Sequence, residues 1–226
     1  MCGRFSQFSD VETLAGGLLA DTEIKARSPI YNLAPGMTAG VVVASGATRR
    51  YAEMRWGLVP SWAKDPAIGT RMINARVETV AQKPSFRQDL QHRRCLVPAD
   101  GFFEWSGSKG HRQPWFVHAP SGQPLALAGL WERWQPADGG PAWQTFTLLT
   151  TAAAGSIAEI HDRMPVILNP GAHDPWLGDG ALSPRRLTDL LNHHSDAALS
   201  RYRVSTVVNT VNNNTVACIT PLPESG

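Results

Sequence analysis

Cys2, between Met1 and Gly3, is the residue whose position carries the most specific chemistry. Its small side chain permits removal of Met1 by a methionine aminopeptidase, which would leave an amine and a thiol on adjacent carbons. The amine, with a pKa of about 7.7–8.0, is largely available near neutral pH and condenses with an aldehyde to a Schiff base. The thiol can then close onto the imine carbon to give a thiazolidine, an intramolecular step favoured by its high effective concentration. If Met1 stays attached, the amine is a peptide nitrogen and this route is blocked. A cysteine near a chain start is often there by chance, so Cys2 needs partners.

The candidates lie far along the chain. Asn74, in Ile73-Asn74-Ala75-Arg76-Val77-Glu78, can hold an N-terminal amine through its carbonyl, and it equally fits a turn. Arg76 supplies a planar, permanently charged fork suited to phosphate, or it pairs with Glu78 along the strand. Glu104, in Gly101-Phe102-Phe103-Glu104-Trp105, is flanked by aromatic residues whose packing would raise its pKa toward values useful for moving protons. The bland alternative is an outward-facing strand residue. His161, in Ile160-His161-Asp162-Arg163-Met164-Pro165, can give or take a proton near neutral pH, with Asp162 or a carbonyl setting its tautomer. Capping a turn would also suit it. Arg163 repeats the phosphate argument. Of the tryptophans, Trp56 reads as core, whereas Trp62 lies beyond Pro60 in a loop, where an exposed indole beside cations would stack a base of a single strand. His92, His111, His118, His173, His193 and His194 show no metal spacing, and no metal or organic cofactor is expected.

The elements that must position these residues are short. Apolar, β-branched or aromatic runs predict strands at 41–44, 51–56, 94–98, 102–105, 115–118, 125–130 and 145–149, separated by turn residues. Helices are predicted at 10–19 with Ser9 as N-cap, at 85–91, at 153–159, and at 184–192 behind the pair Ser183-Pro184. Strands dominate the middle, which suggests an α+β fold around a twisted, mostly antiparallel sheet or open barrel with flanking helices. At 226 residues, 42% of them hydrophobic, one domain spanning 1–226 can bury a real core, with the last few residues as a loose tail.

Charge excludes a histone-like polycation: Lys plus Arg (21) exceeds Asp plus Glu (19) only slightly, which leaves room for a local basic patch. Cys2, Cys95 and Cys218 have no CxxC spacing, which argues against a zinc site and a disulfide scaffold. No apolar run approaches the roughly 18–20 residues that span a bilayer, and no secretory leader is evident. A reducing location is expected: the cytoplasm, with nucleoid association on DNA, or the nucleus in a eukaryote.

The ordered set of strings is more specific than any one of them. Met1–Phe5 is followed by Tyr31-Asn32-Leu33-Ala34-Pro35-Gly36, Trp56-Gly57-Leu58-Val59-Pro60-Ser61-Trp62, the Asn74 and Glu104 strings, Ala128-Gly129-Leu130-Trp131-Glu132, the His161 string and Val204-Ser205-Thr206-Val207-Val208-Asn209. Together they resemble the SOS response-associated peptidase family over nearly the whole chain. The resemblance implies a single α+β domain that forms a thiazolidine with abasic sites in single-stranded DNA, including junctions where a strand becomes single; the chemistry needs only a monomer. It implies that Cys2 crosslinks, Asn74 orients its amine, Glu104 shuttles protons and His161 assists the Schiff base. Arg4, Arg76 and Arg163 then match phosphate-binding positions, and Trp62 and Trp105 base-stacking positions. Self-release of the first methionine is implied as well, and the Schiff-base stage would also open a β-elimination route to abasic-site lyase activity. One departure is the uncharged run Thr210-Val211-Asn212-Asn213-Asn214, where relatives often carry a basic residue.

Three other readings stand beside this one. An N-terminal cysteine hydrolase of the amidotransferase kind also opens Met-Cys-Gly, and would need an oxyanion hole and a glutamine pocket. A Cys2–His161–Asn74 peptidase would cleave added peptides. A plain DNA-binding module would be indifferent to Cys2→Ala.

Overall fold

The computed structural model describes residues 2–108, 110–178, 180, 182–192 and 199–223; His193 and His194 fall outside them. The strands are β1 (Phe5–Gln7), β2 (Ile30–Leu33), β3 (Thr38–Ser45), β4 (Thr48–Trp56), β5 (Asn74–Arg76) and β6 (Arg94–Ala99). There follow β7 (Gly101–Ser106), β8 (Gln113–His118), β9 (Leu125–Trp134), β10 (Trp143–Ala152), β11 (Arg163–Pro165) and β12 (Ser200–Arg203). The helices are α1 (Val11–Gly16), α2 (Arg87–His92), α3 (Pro170–Leu177) and α4 (Pro184–Asn192).

The expected barrel is closed rather than open. β3 and β4 form a hairpin in register from Thr38↔Arg55 to Ser45↔Thr48, turning at Gly46, whose φ of +61° suits glycine. β6 pairs with β3 and β9, and β9 pairs with β10 from Trp143↔Trp134 to Leu148↔Gly129. The circle shuts where β10 runs parallel to β4, through Thr145↔Arg55 and Phe146↔Trp56. Closure removes the exposed sheet edges that would otherwise invite association. A second sheet, in the order β12-β8-β7-β1-β2, lies beside the barrel.

Two apolar clusters hold these layers. Barrel residues Val41, Met54, Trp56, Val97 and Phe146 join Phe5, Leu33, Phe102 and Val117 of the second sheet, and Cys2 is part of this cluster. Val42, Leu96, Ala128 and Leu130 back instead onto helical residues Leu14, Leu90, Trp176 and Leu187. Facing opposite ways along β3, Val41 and Val42 show the two-residue period that puts neighbours on opposite faces.

Two of the helix starts depart from expectation. Asp10, not Ser9, caps α1, accepting from Thr13 N at 2.7 Å, because Asp100 has already taken the Ser9 hydroxyl and backbone N–H. The expected helix at 153–159 is only a 3-10 turn, Gly155–Glu159, entered through Gly155 at φ +53°. At α4 the expected cap holds: Ser183 Oγ accepts from Arg186 N at 3.2 Å.

Candidate active site

β10 is the rail on which much of the site is hung. Along one edge it pairs in parallel with β5, setting Asn74 opposite Leu148 and Arg76 opposite Thr150. Further along it pairs with β11, setting Arg163 opposite Ala152 and leaving His161 in the turn just before. β1 lies against β7 through Phe5↔Phe102, so the residues preceding Phe5 run back along β7 toward Glu104. Three distant segments thus converge on Cys2.

Cys2 is fully buried, with Sγ 3.8 Å from Arg4 O. Burial pushes the thiol pKa up strongly and the negative charge of Glu104 adds to it, so the free thiol is protonated until a neighbouring base takes its proton. Asn74 Nδ2 donates to Cys2 O at 2.7 Å, while Asn74 Oδ1 is buried with no partner among the described residues. Trp56 Nε1, donating to Ile73 O at 2.9 Å, steadies the backbone just before Asn74.

Glu104 is 2% exposed, and burial raises its pKa to about 7. His161 Nε2 stands 3.9 Å from Glu104 Oε2. On its other side, Nδ1 is 3.0 Å from the Arg163 backbone nitrogen and 3.0 Å from Asp162 Oδ1. The neutral ring offers Nδ1 as acceptor to the backbone N–H, and the protonated ring turns the same atom toward the carboxylate. Burial lowers the His161 pKa and so favours the neutral form. A raised acid and a lowered base side by side can pass a proton near neutrality.

The arginines divide. Arg76 is exposed and forms no ion pair among the described residues, so the alternative pairing with Glu78 is not made. Arg163 grips Glu78 instead, by two bonds of 2.6 and 3.0 Å, and also donates to Thr150 O at 2.7 Å. Arg4 lies mostly buried. It is 9% exposed, and its Nη1 donates to Asn32 Oδ1 at 2.5 Å and Val208 O at 2.8 Å, which makes it a brace between the second sheet and the C-terminal segment. The tryptophans divide too. Trp62 is 60% exposed, as a stacking platform requires. Trp105 follows Glu104 on β7 and therefore faces the other side of the sheet. There it packs with Phe103 and donates to Asn209 Oδ1 at 2.8 Å, so it is not gathered into the Cys2 site.

A family model described as SOS response associated peptidase (SRAP) matches residues 1–211. The chain belongs to the SRAP family. Among its relatives, an abasic site processing protein, YoqW, of Bacillus subtilis (strain 168) is 38% identical over 217 residues, covering 95% of this chain and 96% of that one. Another, the abasic site processing protein HMCES of Gallus gallus, is 32% identical over 225 residues, covering 86% of this chain and 66% of that one. A crystal structure of a Bacteroides thetaiotaomicron protein superposes with a TM-score of 0.84 at 22% identity, over 98% of this chain and all of that one, a likeness of fold. A phage-related protein from Bordetella bronchiseptica matches with a TM-score of 0.70 at 29% identity, over 90% of this chain and 94% of that one.

In this SRAP chain the uncharged segment near residue 212 is used for construction. Asn214 Oδ1 accepts from Tyr31 N at 2.7 Å, and Asn213 Nδ2 donates to Val207 O at 2.8 Å. The Glu78–Arg163 pair has no signal in the sequence, because residues 85 positions apart leave no local pattern to read. Among the described residues no group of His, Cys, Asp and Glu could hold a metal ion, and no helix is long and apolar enough to cross a membrane.

Proposed function

We propose that this chain processes abasic sites in single-stranded DNA by capturing them covalently on Cys2 once Met1 has been removed. The observation that carries the reading is the convergence of Cys2, Asn74, Glu104 and His161 from separate segments onto one place, where Cys2 and Glu104 are buried and Asn74 and His161 are partly open. The names of the SRAP relatives supply the substrate.

Asn74 has one hand on the Cys2 carbonyl and a buried, unpartnered Oδ1. That oxygen is the acceptor for the freed Cys2 amine, which keeps the nitrogen lone pair aimed outward. The amine attacks the aldehyde carbon of the ring-opened deoxyribose. Glu104, whose pKa burial raises to about 7, donates to the leaving hydroxyl as water departs and the Schiff base forms. The Glu104 carboxylate or His161 then takes the thiol proton, sulfur adds to the imine carbon, and the nitrogen regains a proton. One water is released overall and no electron changes hands. The Schiff base also offers a β-elimination branch, and self-release of Met1 at the same cysteine belongs to the same reading.

Arg76 and the rim near Arg163 meet the phosphates, and Trp62 stacks a base. The protein needs to act only as a monomer. The test is a denaturing gel of protein shown by mass spectrometry to begin at Cys2, mixed with a single-stranded oligonucleotide carrying one abasic site. A shifted band that survives denaturation and is absent with Cys2→Ala is expected. If protein proven to begin at Cys2 gives no band, the capture reading fails and an N-terminal cysteine hydrolase takes its place.

A further inference from the structure

A cleft of about 400 Å³ has none of Cys2, Asn74, Glu104 and His161 in its lining. Its wall is the 3-10 turn Pro66–Arg71, pressed against the chain after β4 by a glycine–glycine contact. A Cβ on Gly69 would come within 2.7 Å of Gly57 O, so neither position accepts a side chain without the wall moving. Apolar Pro35, Val59 and Pro66 line it, with Trp56 beneath, and no Asp or Glu contributes to the lining.

The rim carries a charge that the fold does not use. Arg55 is exposed at the end of β4 and forms no ion pair among the described residues. Its guanidinium lies 5.2 Å from the centre of the Trp143 ring. Trp143 meets Trp134 edge-on at 5.4 Å, and Trp134 Nε1 donates to Ala63 O at 2.7 Å. Ala63 is the neighbour of exposed Trp62, so the Arg55–Trp143 stack and the Trp62 loop are tied into one unit. A more open hollow beside Trp62, Lys64, Asp65 and Arg71 shares Ala67 and Thr70 with the cleft, which makes the surface between them continuous.

An indole capped by an unpaired arginine, over apolar walls free of acids, is a combination that recognises a planar base joined to a phosphate. The volume falls within the usual range for sites that take small organic groups. The geometry points to this cleft as a nucleotide subsite for the same single strand, holding a residue that lies beyond the one stacked on Trp62. The inference rests on the reading of the chain as a single-strand binder and extends it: the strand has a second anchor away from Cys2, with Arg55 on its phosphate and Trp143 beside its base.

The test uses strands with a reduced abasic analogue that has no aldehyde and cannot crosslink, their thymidine flanks lengthened one nucleotide at a time on either side. Fluorescence anisotropy gives the affinity of each. For the wild type, affinity should step up by roughly fivefold or more when one flank reaches the cleft. In Arg55→Glu that step should vanish, and in Trp143→Phe it should shrink. Because Arg55 is exposed, Arg55→Glu should fold, which circular dichroism checks. A step that survives Arg55→Glu, or a wild type that shows no step on either side, overturns the subsite. A wild type that binds none of the strands overturns the single-strand reading itself. Free thymidine monophosphate supplies a further arm. If it shifts the wild-type tryptophan emission and lengthening the strand brings no gain, the cleft serves free nucleotides and the strand assignment is wrong.

Discussion

Two buried carboxylates in this molecule have pKa values pushed up to about 7, Glu104 beside Cys2 and Asp89 in α2, and both are 2% exposed. Only one of them stands in the proposed site. Asp89 shares its pocket with Glu132, and Arg93 spans the two, at 2.7 Å from Asp89 and 3.0 Å from Glu132. After burial, the Glu132 charge is the second cause that raises the Asp89 pKa, and Arg93 opposes both. The charged contacts of that trio are with one another. Its work is to fasten α2 to β9, with the Arg93 carbonyl accepting from Trp131 N at 2.9 Å. Glu104 has a histidine 3.9 Å away, a thiol whose own pKa it raises, and a half-buried asparagine with an idle acceptor nearby. A perturbed pKa therefore marks burial, and chemistry is marked by what stands next to it.

The comparison breaks most sharply under exchange of each acid for its amide. Glu104→Gln should slow crosslinking by about 100-fold or more, the usual weight of a positioned acid–base group. Asp89→Asn should leave the crosslinking rate of the folded protein within a factor of about two, because it touches no reacting atom. Single-turnover gels on both variants measure this. Equal slowing in the two would mean that Glu104 acts through the fold alone.

The next effect is on stability. Arg93→Ala would leave two buried carboxylates facing each other without their cation and should cost about 3 kcal/mol, read by urea denaturation at pH 8. Glu104→Gln should cost far less or even stabilise, since it removes a carboxylate that is desolvated in the native state. If Arg93→Ala unfolded no more easily than wild type, the Asp89–Glu132 pocket would be wetter than its burial indicates.

How much of this is legible in the chain follows from the range of each interaction. The barrel strands show in the sequence because a two-residue period is local, as in β4, where Met54 and Trp56 are buried while Glu53 and Arg55 are exposed. Barrel closure does not show, because parallel pairing of Arg55 with Thr145 joins residues far apart with no turn between them. Residue type groups Trp105 with Trp62, although its place next to Glu104 in a strand already puts it on the other face. Arg4 cannot be told from Arg76 by type either; only the contacts with Asn32 and Val208 separate a brace from an open cation. The site residues themselves are legible as chemical types. Their meeting is not, since Asn74, Glu104 and His161 are brought to Cys2 by β10 and β7, and no spacing along the chain encodes that.

The smallest effect concerns pH, and the sign can be worked out for Asp89. Its folded pKa of about 7 lies above that of an exposed aspartate, so the native state binds this proton more tightly than the unfolded chain does. The contribution is therefore fully present below the ordinary carboxylate pKa, is lost as pH rises toward 7, and is flat above that. Asp89→Asn cannot titrate there. Between pH 5 and pH 8 the wild type should lose on the order of 2 kcal/mol relative to Asp89→Asn, since a tenfold difference in proton affinity is worth about 1.4 kcal/mol and roughly two such steps separate pH 5 from the folded pKa. Parallel urea titrations of the two proteins give the difference directly. A wild type whose stability relative to Asp89→Asn stayed flat over that interval would mean that Arg93 dominates, and that the acid pair is a tight ion-pair network held charged throughout. The contrast with Glu104 would then be one of charge state as well as of neighbours.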